Sequence, residues 1–396
     1  MQLRKRVRRP VKKGLFYGLG LGLLLVALSV SLWRGLPLLR ASAAVSPAAG
    51  ADTPDRYEAS AQRILAGMTR EEKVWQMLVL FPQQVTGDAV SADAQLWQES
   101  LAARPVGGIV LDGDNMESEA QLRALLTAAG TAGAVPLLTC VDEEGGAVAR
   151  VAYNLGAVTD FEPMFTYRGG GAETAFANAR TLGSELSSLG FNVDFAPVAD
   201  VWTNPDNAVI GRRAYSDDAA EAAALISAAV QGFHAGGTAC VLKHFPGHGD
   251  TAEDSHVGAA YCYKSAAELR ECELLPFAAG IAAGADMVMM GHITVPALDS
   301  ARPATLSPAV VTGLLRQELG YDGVVITDAL QMRALNVGGA EAAVLAVEAG
   351  CDLLLAPEDP AAVAAAVLDT VDEARLDESV LRILQLKLRR GIVAAP

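Results

Sequence analysis

Residues 239–250 read Ala-Cys-Val-Leu-Lys-His-Phe-Pro-Gly-His-Gly-Asp, an apolar run that passes directly into a polar, glycine-containing segment. Such a run is typical of a buried β-strand, which ends where its apolar residues end. Residues 243–256 hold three of the five histidines of the 396-residue chain, together with three acids and one lysine. Side chains just beyond the carboxyl end of a parallel strand face the ligand cleft of α/β proteins. The stretch therefore predicts a functional site at the end of a strand.

Two further interpretations of this histidine-rich stretch stay open. The histidines and aspartates can form a hydrogen-bonded loop without a catalytic role, although titratable groups with perturbed pKa values concentrate at functional sites. They can also bind a metal, because imidazole and carboxylate are ligands that suit zinc. The candidate ligands are His244, His248, Asp250, Asp254 and His256.

Seven more apolar runs of strand length occur along the chain, with helix-like, alanine-rich segments between them. They are residues 77–81, 106–111, 136–141, 191–196, 287–290, 324–327 and 352–355. Nearly continuous apolar strands separated by helices predict a parallel sheet that is covered on both faces. Eight such units favour an α/β fold with a single (β/α)8 TIM-like barrel, and an open doubly wound sheet is the alternative. The amphipathic run at residues 379–390 is expected to form a closing helix.

Polar residues follow most of the predicted strands. In a barrel they meet at one mouth, because the carboxyl ends of all eight strands lie on the same side. The polar residues near these strand ends are Asp142, Glu143, Glu144 and Arg150 after the third strand, Asp200, Arg212 and Arg213 after the fourth, Lys243 and His244 after the fifth, His292 after the sixth and Asp328 after the seventh. We therefore expect the active site at this mouth.

The amino-terminal part of the chain has a different composition. Residues 1–13 carry seven basic side chains and no acid, and residues 14–33 carry no charge. Twenty uncharged residues are long enough to cross a bilayer, so we predict a cytoplasmic basic segment at 1–13 and a transmembrane anchor or signal segment at 14–33. Residues 34–55 are predicted to be a linker and residues 56–396 the catalytic barrel. The barrel is then exported, either anchored at the outer face of a bacterial cell membrane or secreted after cleavage behind Ala43.

The rest of the chain is strongly acidic. Beyond residue 43 there are 22 basic and 46 acidic side chains, which gives a formal net charge of −24. A domain with this charge repels polyanions, so we expect no nucleic-acid partner. The predicted membrane contact is confined to the amino-terminal segment.

Four motifs stand apart from one another along the chain. They are Asp-Glu-Glu-Gly-Gly at 142–146, Lys-His-Phe-Pro-Gly-His-Gly-Asp at 243–250, Asp-Ser-His at 254–256 and Gly-Val-Val-Ile-Thr-Asp at 323–328. Together they resemble glycoside hydrolase family 3, specifically its β-N-acetylhexosaminidase branch, over about residues 68–391. The resemblance implies a barrel that hydrolyses terminal β-linked N-acetylhexosamine and requires neither a metal nor another cofactor.

The resemblance also assigns roles to individual residues. It implies that Asp328 is the nucleophile and that His256, paired with Asp254 on a loop, is the acid/base. His248 matches a motif position that we interpret as loop structure. The residues implied to contact the sugar hydroxyls and the N-acetyl group are Asp142, Arg150, Arg213, Lys243 and His244.

Two positions depart from the family pattern. Residues 210–215 read Ile-Gly-Arg-Arg-Ala-Tyr, so that Arg212 stands where the family has an acid or another polar residue. Arg213 is the arginine that matches the family motif. Ala329 follows Asp328 where a second aspartate is common in the family, but that second acid is not the nucleophile.

The chemistry of these residues agrees with the resemblance. A retaining glycosidase needs a carboxylate nucleophile and a proton donor about 5 Å apart. Asp328 supplies the carboxylate. His256 can be the proton donor, because an imidazole group titrates near neutral pH and Asp254, two residues away, is expected to hold its tautomer and support its charged form. Family members that act as β-glucosidases often take their acid from a second domain, whereas here we expect the acid within the barrel.

The predicted substrate follows from the resemblance and from the predicted export. Both suggest an exo-acting β-N-acetylglucosaminidase whose substrate is a glycan or muropeptide that contains N-acetylglucosamine and derives from peptidoglycan. A phosphorylase that uses the same His256 and transfers the sugar to phosphate is an alternative. A metallohydrolase that uses the histidine cluster for a zinc-bound hydroxide is another, and a barrel that only binds wall glycans is the third.

Overall fold

The computed structural model describes residues 53–252, 258–332, 334–335 and 337–394. The predicted segments 1–13 and 14–33 lie outside this range, as do Asp254 and His256. Within the described residues, no helix combines the length and the apolar character that a membrane span requires.

Eight parallel strands form the central sheet. They are β1 (Leu78–Leu80), β2 (Gly108–Leu111), β3 (Leu138–Val141), β6 (Val193–Asp194), β7 (Ala239–Phe245), β9 (Met287–Met290), β11 (Val324–Thr327) and β12 (Leu354–Leu355). They neighbour one another in chain order, and β12 also pairs with β1. A single parallel bridge between Ile326 and Leu353 joins the two remaining edges. The sheet is therefore a nearly closed parallel barrel, which agrees with the predicted barrel and not with an open doubly wound sheet.

Every residue of these eight strands is buried. This explains why the strands appear in the sequence as continuous apolar runs, since a parallel barrel is covered on both faces. Strands β9 and β11 begin and end where the sequence predicts. Strand β7 continues three residues past its apolar run, through Lys243 and His244, because these side chains find the buried acidic partners Glu144 and Asp200 inside the protein.

Helices connect the strands and cover the outside of the barrel. They are α1 (Thr53–Ala66), α2 (Arg70–Gln76), α3 (Pro82–Thr86), α4 (Ala94–Ala103), α5 (Glu119–Ala132), α6 (Arg150–Leu155), α7 (Ala172–Leu189), α8 (Ala219–Gly236), α9 (Ala266–Glu271), α10 (Leu274–Ala282), α11 (Gly339–Ala349), α12 (Pro360–Thr370) and α13 (Glu373–Arg389). A π-helix, Ala309–Glu318, connects β9 to β11. The predicted closing helix is confirmed as α13, which buries Leu376, Ile383 and Leu384.

Two small two-stranded sheets follow the carboxyl ends of the barrel strands. Strands β4 (Glu143–Gly145) and β5 (Val148–Ala149) follow β3 directly and run antiparallel. Strands β8 (Ala260–Tyr261) and β10 (Ile293–Thr294) follow β7 and β9 and run parallel. The first pair places the motif at 142–146 at the barrel mouth.

Candidate active site

A pocket of about 310 Å3 opens at the carboxyl ends of the strands, and we call it the central pocket. Most of its polar residues come from the segment that follows β3, from the connection between β6 and β7, from β7 itself and from the residue that follows β11. Six of the residues predicted from the sequence line it: Asp142, Arg150, Arg213, Lys243, His244 and Asp328. Residues that are up to 186 positions apart in the chain thus meet at one place, as expected for a barrel mouth.

Lys243 is the buried cation in the wall of this pocket. Its Nζ lies 2.5 Å from Asp142 Oδ1 and 2.6 Å from Glu144 Oε1, and its side chain is 2% exposed. Burial alone would lower the pKa of Lys243, but the two carboxylates outweigh it and raise the pKa. The ammonium group therefore stays charged at neutral pH.

Glu144 holds the two cations of the wall together. It accepts hydrogen bonds from Arg213 Nε and Nη2 at 2.8 and 2.7 Å, and Lys243 donates to the same carboxylate. Burial would raise the pKa of Glu144, but these two cations lower it far below its usual range. From the sequence, Glu144 is expected near the mouth but has no assigned role, and the signal that marks it is its place in the motif at 142–146.

A second buried acid, Asp200, orients His244. Asp200 Oδ2 lies 2.8 Å from His244 Nδ1, and the backbone N–H groups of His244 and His248 donate to the same carboxylate. Burial would raise the pKa of Asp200, but the neighbouring His244 lowers it. The hydrogen bond fixes the imidazole so that Nε2 is the ring nitrogen left to contact a ligand.

His248 has a different environment from His244. Its Nδ1 lies 2.7 Å from Thr251 Oγ1, and its ring packs edge-on against His244 with centroids 5.8 Å apart. Burial lowers the pKa of His248, which favours the neutral ring. These contacts support the interpretation of His248 as loop structure.

Asp328 follows the last residue of β11 and lines the central pocket. Its backbone N–H donates to Met290 O at 3.0 Å, and its Oδ1 accepts a hydrogen bond from the backbone N–H of Ala329 at 2.8 Å. His292 holds the next residue in place, since its Nε2 lies 3.1 Å from Ala329 O. The carboxylate is therefore fixed by backbone contacts at the position where the sequence predicted a nucleophile.

Arg150 begins α6, and Glu143 fixes the start of that helix. The Glu143 carboxylate accepts hydrogen bonds from Val151 N at 2.5 Å and from Ala152 N at 3.1 Å. Burial raises the pKa of Glu143 to about 7. Arg150 itself is exposed, and within the described part of the chain no carboxylate pairs with it. It is thus a cation at the pocket that is available to a ligand.

A possible group of metal ligands occurs at the other end of the barrel. Among the described residues, His234, Cys240 and Asp286 bring three ligand atoms within 4.8 Å of one another, at the amino ends of β7 and β9. Arg390 donates to both carboxylate oxygens of Asp286 at 2.5 and 2.6 Å, so this acid is already paired. In the central pocket, the contact of His244 Nδ1 with Asp200 leaves Nε2 for a sugar or for a metal, so the zinc alternative stays a prediction.

The remaining predicted catalytic residues, Asp254 and His256, lie outside the described residues. The structure therefore brings together the predicted nucleophile and all five predicted sugar contacts, while the acid/base and its partner stay predictions from the sequence.

Comparison with known proteins shows which family this chain resembles. Residues 69–386 match the model of the glycosyl hydrolase family 3 N-terminal domain. A β-hexosaminidase from Stenotrophomonas maltophilia is 39% identical over 277 residues, which cover 68% of this chain and 81% of the relative. β-Hexosaminidase A from Pseudoalteromonas piscicida is 36% identical over 328 residues, and the match covers 74% of this chain but only 54% of that relative.

Comparison with solved structures points to the same family. The structure of a family 3 β-N-acetylglucosaminidase from Paenibacillus sp. is similar to this chain with a TM-score of 0.77 and 41% sequence identity. The similarity covers 83% of this chain and 64% of that protein, so this chain spans about two thirds of its length. The match of both sequence and barrel confirms the predicted resemblance, and the chain belongs to glycosyl hydrolase family 3.

Proposed function

We propose that this chain is an exo-acting retaining β-N-acetylglucosaminidase. The observation that carries the proposal is that Asp328 shares the central pocket with Asp142, Arg150, Lys243 and His244. A fixed carboxylate in the pocket supplies the nucleophile that a retaining glycosidase requires, and the neighbouring polar groups can bind the sugar. The names of the relatives support an N-acetylhexosamine as the terminal sugar.

The pocket's size and lining support the exo mode of action. About 310 Å3 is at the small end of the range for ligand sites and suits one sugar unit better than a glycan chain. Asp142, Lys243 and His244 present oxygen and nitrogen atoms for the hydroxyl groups of that unit. The rest of the substrate then lies outside the pocket.

In the first step of the proposed mechanism, Asp328 attacks the anomeric carbon and forms a glycosyl ester. The bond between the anomeric carbon and the leaving oxygen breaks, and His256 gives its proton to that oxygen. In the second step His256 takes a proton from water, the water oxygen attacks the anomeric carbon, and Asp328 leaves as a carboxylate. Two inversions give net retention.

The cations of the pocket support the ionised nucleophile. Lys243 stays charged because its pKa is raised, and Arg150 adds a second positive charge at the mouth. Opposite charges within a few ångströms favour the charged form of a carboxylate. Asp254 is proposed to hold the tautomer of His256 and to stabilise its protonated form.

The natural substrate and the location are further parts of the proposal. The sequence of residues 1–33 supports export and membrane anchoring, and cleavage behind Ala43 would release the domain. An exported enzyme of this specificity would meet peptidoglycan-derived muropeptides that carry terminal N-acetylglucosamine.

Assay of the purified protein tests this function. We expect turnover of an aryl β-N-acetylglucosaminide and much slower turnover of the corresponding β-glucoside, with free N-acetylglucosamine as the product in the presence or absence of phosphate. Preference for the glucoside would contradict the proposed specificity. Formation of a sugar 1-phosphate would assign the phosphorylase alternative instead.

A further inference from the structure

A second depression lies directly beside the central pocket, and we call it the side groove. It is lined by residues of the β4–β5 hairpin and of the segment 208–213, and its volume is about 460 Å3. Val148 and Arg213 line both cavities, so the groove and the central pocket are neighbours that share part of one wall. Most of its wall is apolar, with Ala147, Val148, Pro163 and Val209 as the main contributors.

The two arginines of the groove differ in what they bind. All three nitrogens of the Arg213 guanidinium donate hydrogen bonds. Glu144 accepts from Nε and Nη2, and Val209 O accepts from Nη1 at 2.9 Å. Arg212 is exposed, and none of the carboxylates that the structure describes forms an ion pair with it. The fork of Arg212 is thus the free cationic group of the groove.

The charge of the groove contrasts with that of the whole chain. The chain carries a formal net charge of −15, whereas the residues that line the groove include two arginines and no acid. Because Glu144 neutralises Arg213, the positive charge of the groove is that of Arg212. A cation in a concave site of an acidic protein attracts an anion to that place. A guanidinium fork matches the two oxygens of a carboxylate in geometry.

We propose that the side groove binds a carboxylate on a short aliphatic arm of the leaving group, with Arg212 as the residue that recognises it. The inference rests on the proposed exo-glycosidase function, since a sugar in the central pocket leaves the rest of the substrate at the rim. The arm packs against Val148, Pro163 and Val209, and its carboxylate meets Arg212. Arg212 is then a specificity-determining residue, and Arg213 maintains the pocket wall.

A matched pair of substrates isolates the charge. One is the β-N-acetylglucosaminide of 3-(4-hydroxyphenyl)propanoic acid, and the other is that of its primary amide. The two have the same phenol and the same arm, and the two methylene groups keep the charge from altering the leaving group. We expect wild-type kcat/KM to be about tenfold higher for the acid, as fits one charge-assisted contact at an exposed site.

Variants of Arg212 test the assignment to this residue. Arg212→Ala should remove the preference for the acid and leave kcat/KM for the amide within twofold of wild type. Arg212→Glu should invert the preference, and Arg212→Lys should retain part of it, because lysine keeps the charge but loses the fork. Arg180→Ala is the matched control, since Arg180 is an exposed arginine on α7 that does not line the groove. It should keep the full preference.

Three results would overturn the proposal. They are equal kcat/KM for acid and amide in the wild type, a preference that survives in Arg212→Ala, and an equal loss of preference in Arg180→Ala. Calorimetric binding of the same two glycosides to Asp328→Asn protein gives a readout that needs no turnover. If neither glycoside is hydrolysed, the proposed function fails, and the ratio of the two dissociation constants still decides for or against the groove.

Free phosphate is another source of the same oxyanion chemistry. If the groove serves phosphate, adding inorganic phosphate should increase release of the phenol from the amide substrate and yield N-acetylglucosamine 1-phosphate. That product forms when a phosphate oxygen bonds to the anomeric carbon as the Asp328 carboxylate leaves. Loss of this product in Arg212→Ala would overturn the assignment to the leaving group; unchanged turnover with phosphate supports it.

Discussion

The two ends of the barrel contain similar charged residues with opposite consequences. At the amino end, Asp352 is fully buried and accepts hydrogen bonds from Arg316, Ser379 and the backbone of Val325. At the carboxyl end, Glu144 is equally buried and paired with Arg213 and Lys243. Both are buried acids with cationic partners. Removing one partner from such a network lowers the stability of the fold, because it leaves a buried charge without compensation.

The difference lies in the cations that surround each network. At the amino end, Arg316, Arg375 and Arg382 all lie within 3.4 Å of Asp352, and Arg390 is paired with Asp286. At the carboxyl end, Arg150 and Arg212 line cavities and lack an ion pair with any described carboxylate. We infer that the first network stabilises the fold and that the second one also presents charge to a ligand.

The largest expected effect comes from the carboxyl end. Asp328→Asn should lower kcat by about 10⁴-fold or more on every substrate, because an amide cannot form the glycosyl ester. The thermal midpoint should stay close to that of wild type, since asparagine has nearly the same shape and its Oδ1 can still accept the hydrogen bond from the backbone N–H of Ala329. Steady-state kinetics and thermal unfolding measure the two effects, and a variant with near-normal kcat would refute the role of Asp328.

A second prediction concerns the proton donor. His256→Ala should slow the glycosylation step of an alkyl glycoside by about 10²–10⁴-fold. A nitrophenyl substrate should lose far less in this step, because nitrophenolate leaves with little protonation. Asp254→Asn should follow the same pattern more weakly. Pre-steady-state rates on both substrates, with metal content recorded, provide the test. Equal losses of rate on the two substrates would assign His256 a structural role. Loss of bound metal in the variant would favour the zinc alternative.

The third prediction compares the two networks directly. Asp352→Asn should lower the free energy of unfolding by about 3–5 kcal/mol, because it leaves three partly buried arginines without their acid. The kcat/KM of the fraction that folds should be unchanged. Glu144→Gln should cost a similar amount and also lower kcat/KM, because Lys243 and Arg213 lose their common partner. Urea unfolding and active-site-titrated kinetics separate these outcomes. A kinetic defect in Asp352→Asn would contradict the inference that the network at the amino end only stabilises the fold.

The smallest effect is a pH dependence of stability. The pKa of Glu143 is raised from 4.5 to about 7, so the folded protein keeps a proton that the unfolded chain has already released. Stability should therefore fall as pH rises from about 4.5 to 7, by about 3 kcal/mol from this group alone. Glu143→Gln should flatten this part of the curve. Urea unfolding between pH 4.5 and 8 is the measurement, and an equal slope in wild type and variant would contradict the account.

Much of the carboxyl end could be predicted from the sequence. The barrel follows from eight apolar runs, since strands buried on both faces need no polar residues. Asp328, Lys243 and His244 were found because each one directly follows, or closely follows, such a run. These predictions use only local pattern and the rule that parallel strand ends meet on one side.

The partners of these residues could not be predicted in the same way. Lys243 reaches Asp142 across 101 positions and His244 reaches Asp200 across 44, and these contacts are what extend β7 past its apolar residues. The sequence also could not show that Arg213 turns to Glu144 while its neighbour Arg212 lines the groove. Such choices depend on which side chains tertiary packing brings together.

Covalent trapping tests the central claim most directly. A slow substrate, the 5-fluoro derivative of N-acetylglucosaminyl fluoride, should accumulate the glycosyl ester, because the ring fluorine slows both steps while the good fluoride leaving group keeps the first step faster than the second. Intact-mass analysis followed by peptide sequencing should show one fluorinated sugar per chain, attached to Asp328. A label on another carboxylate, such as Asp142 or Glu144, or turnover without any trapped sugar, would contradict the account.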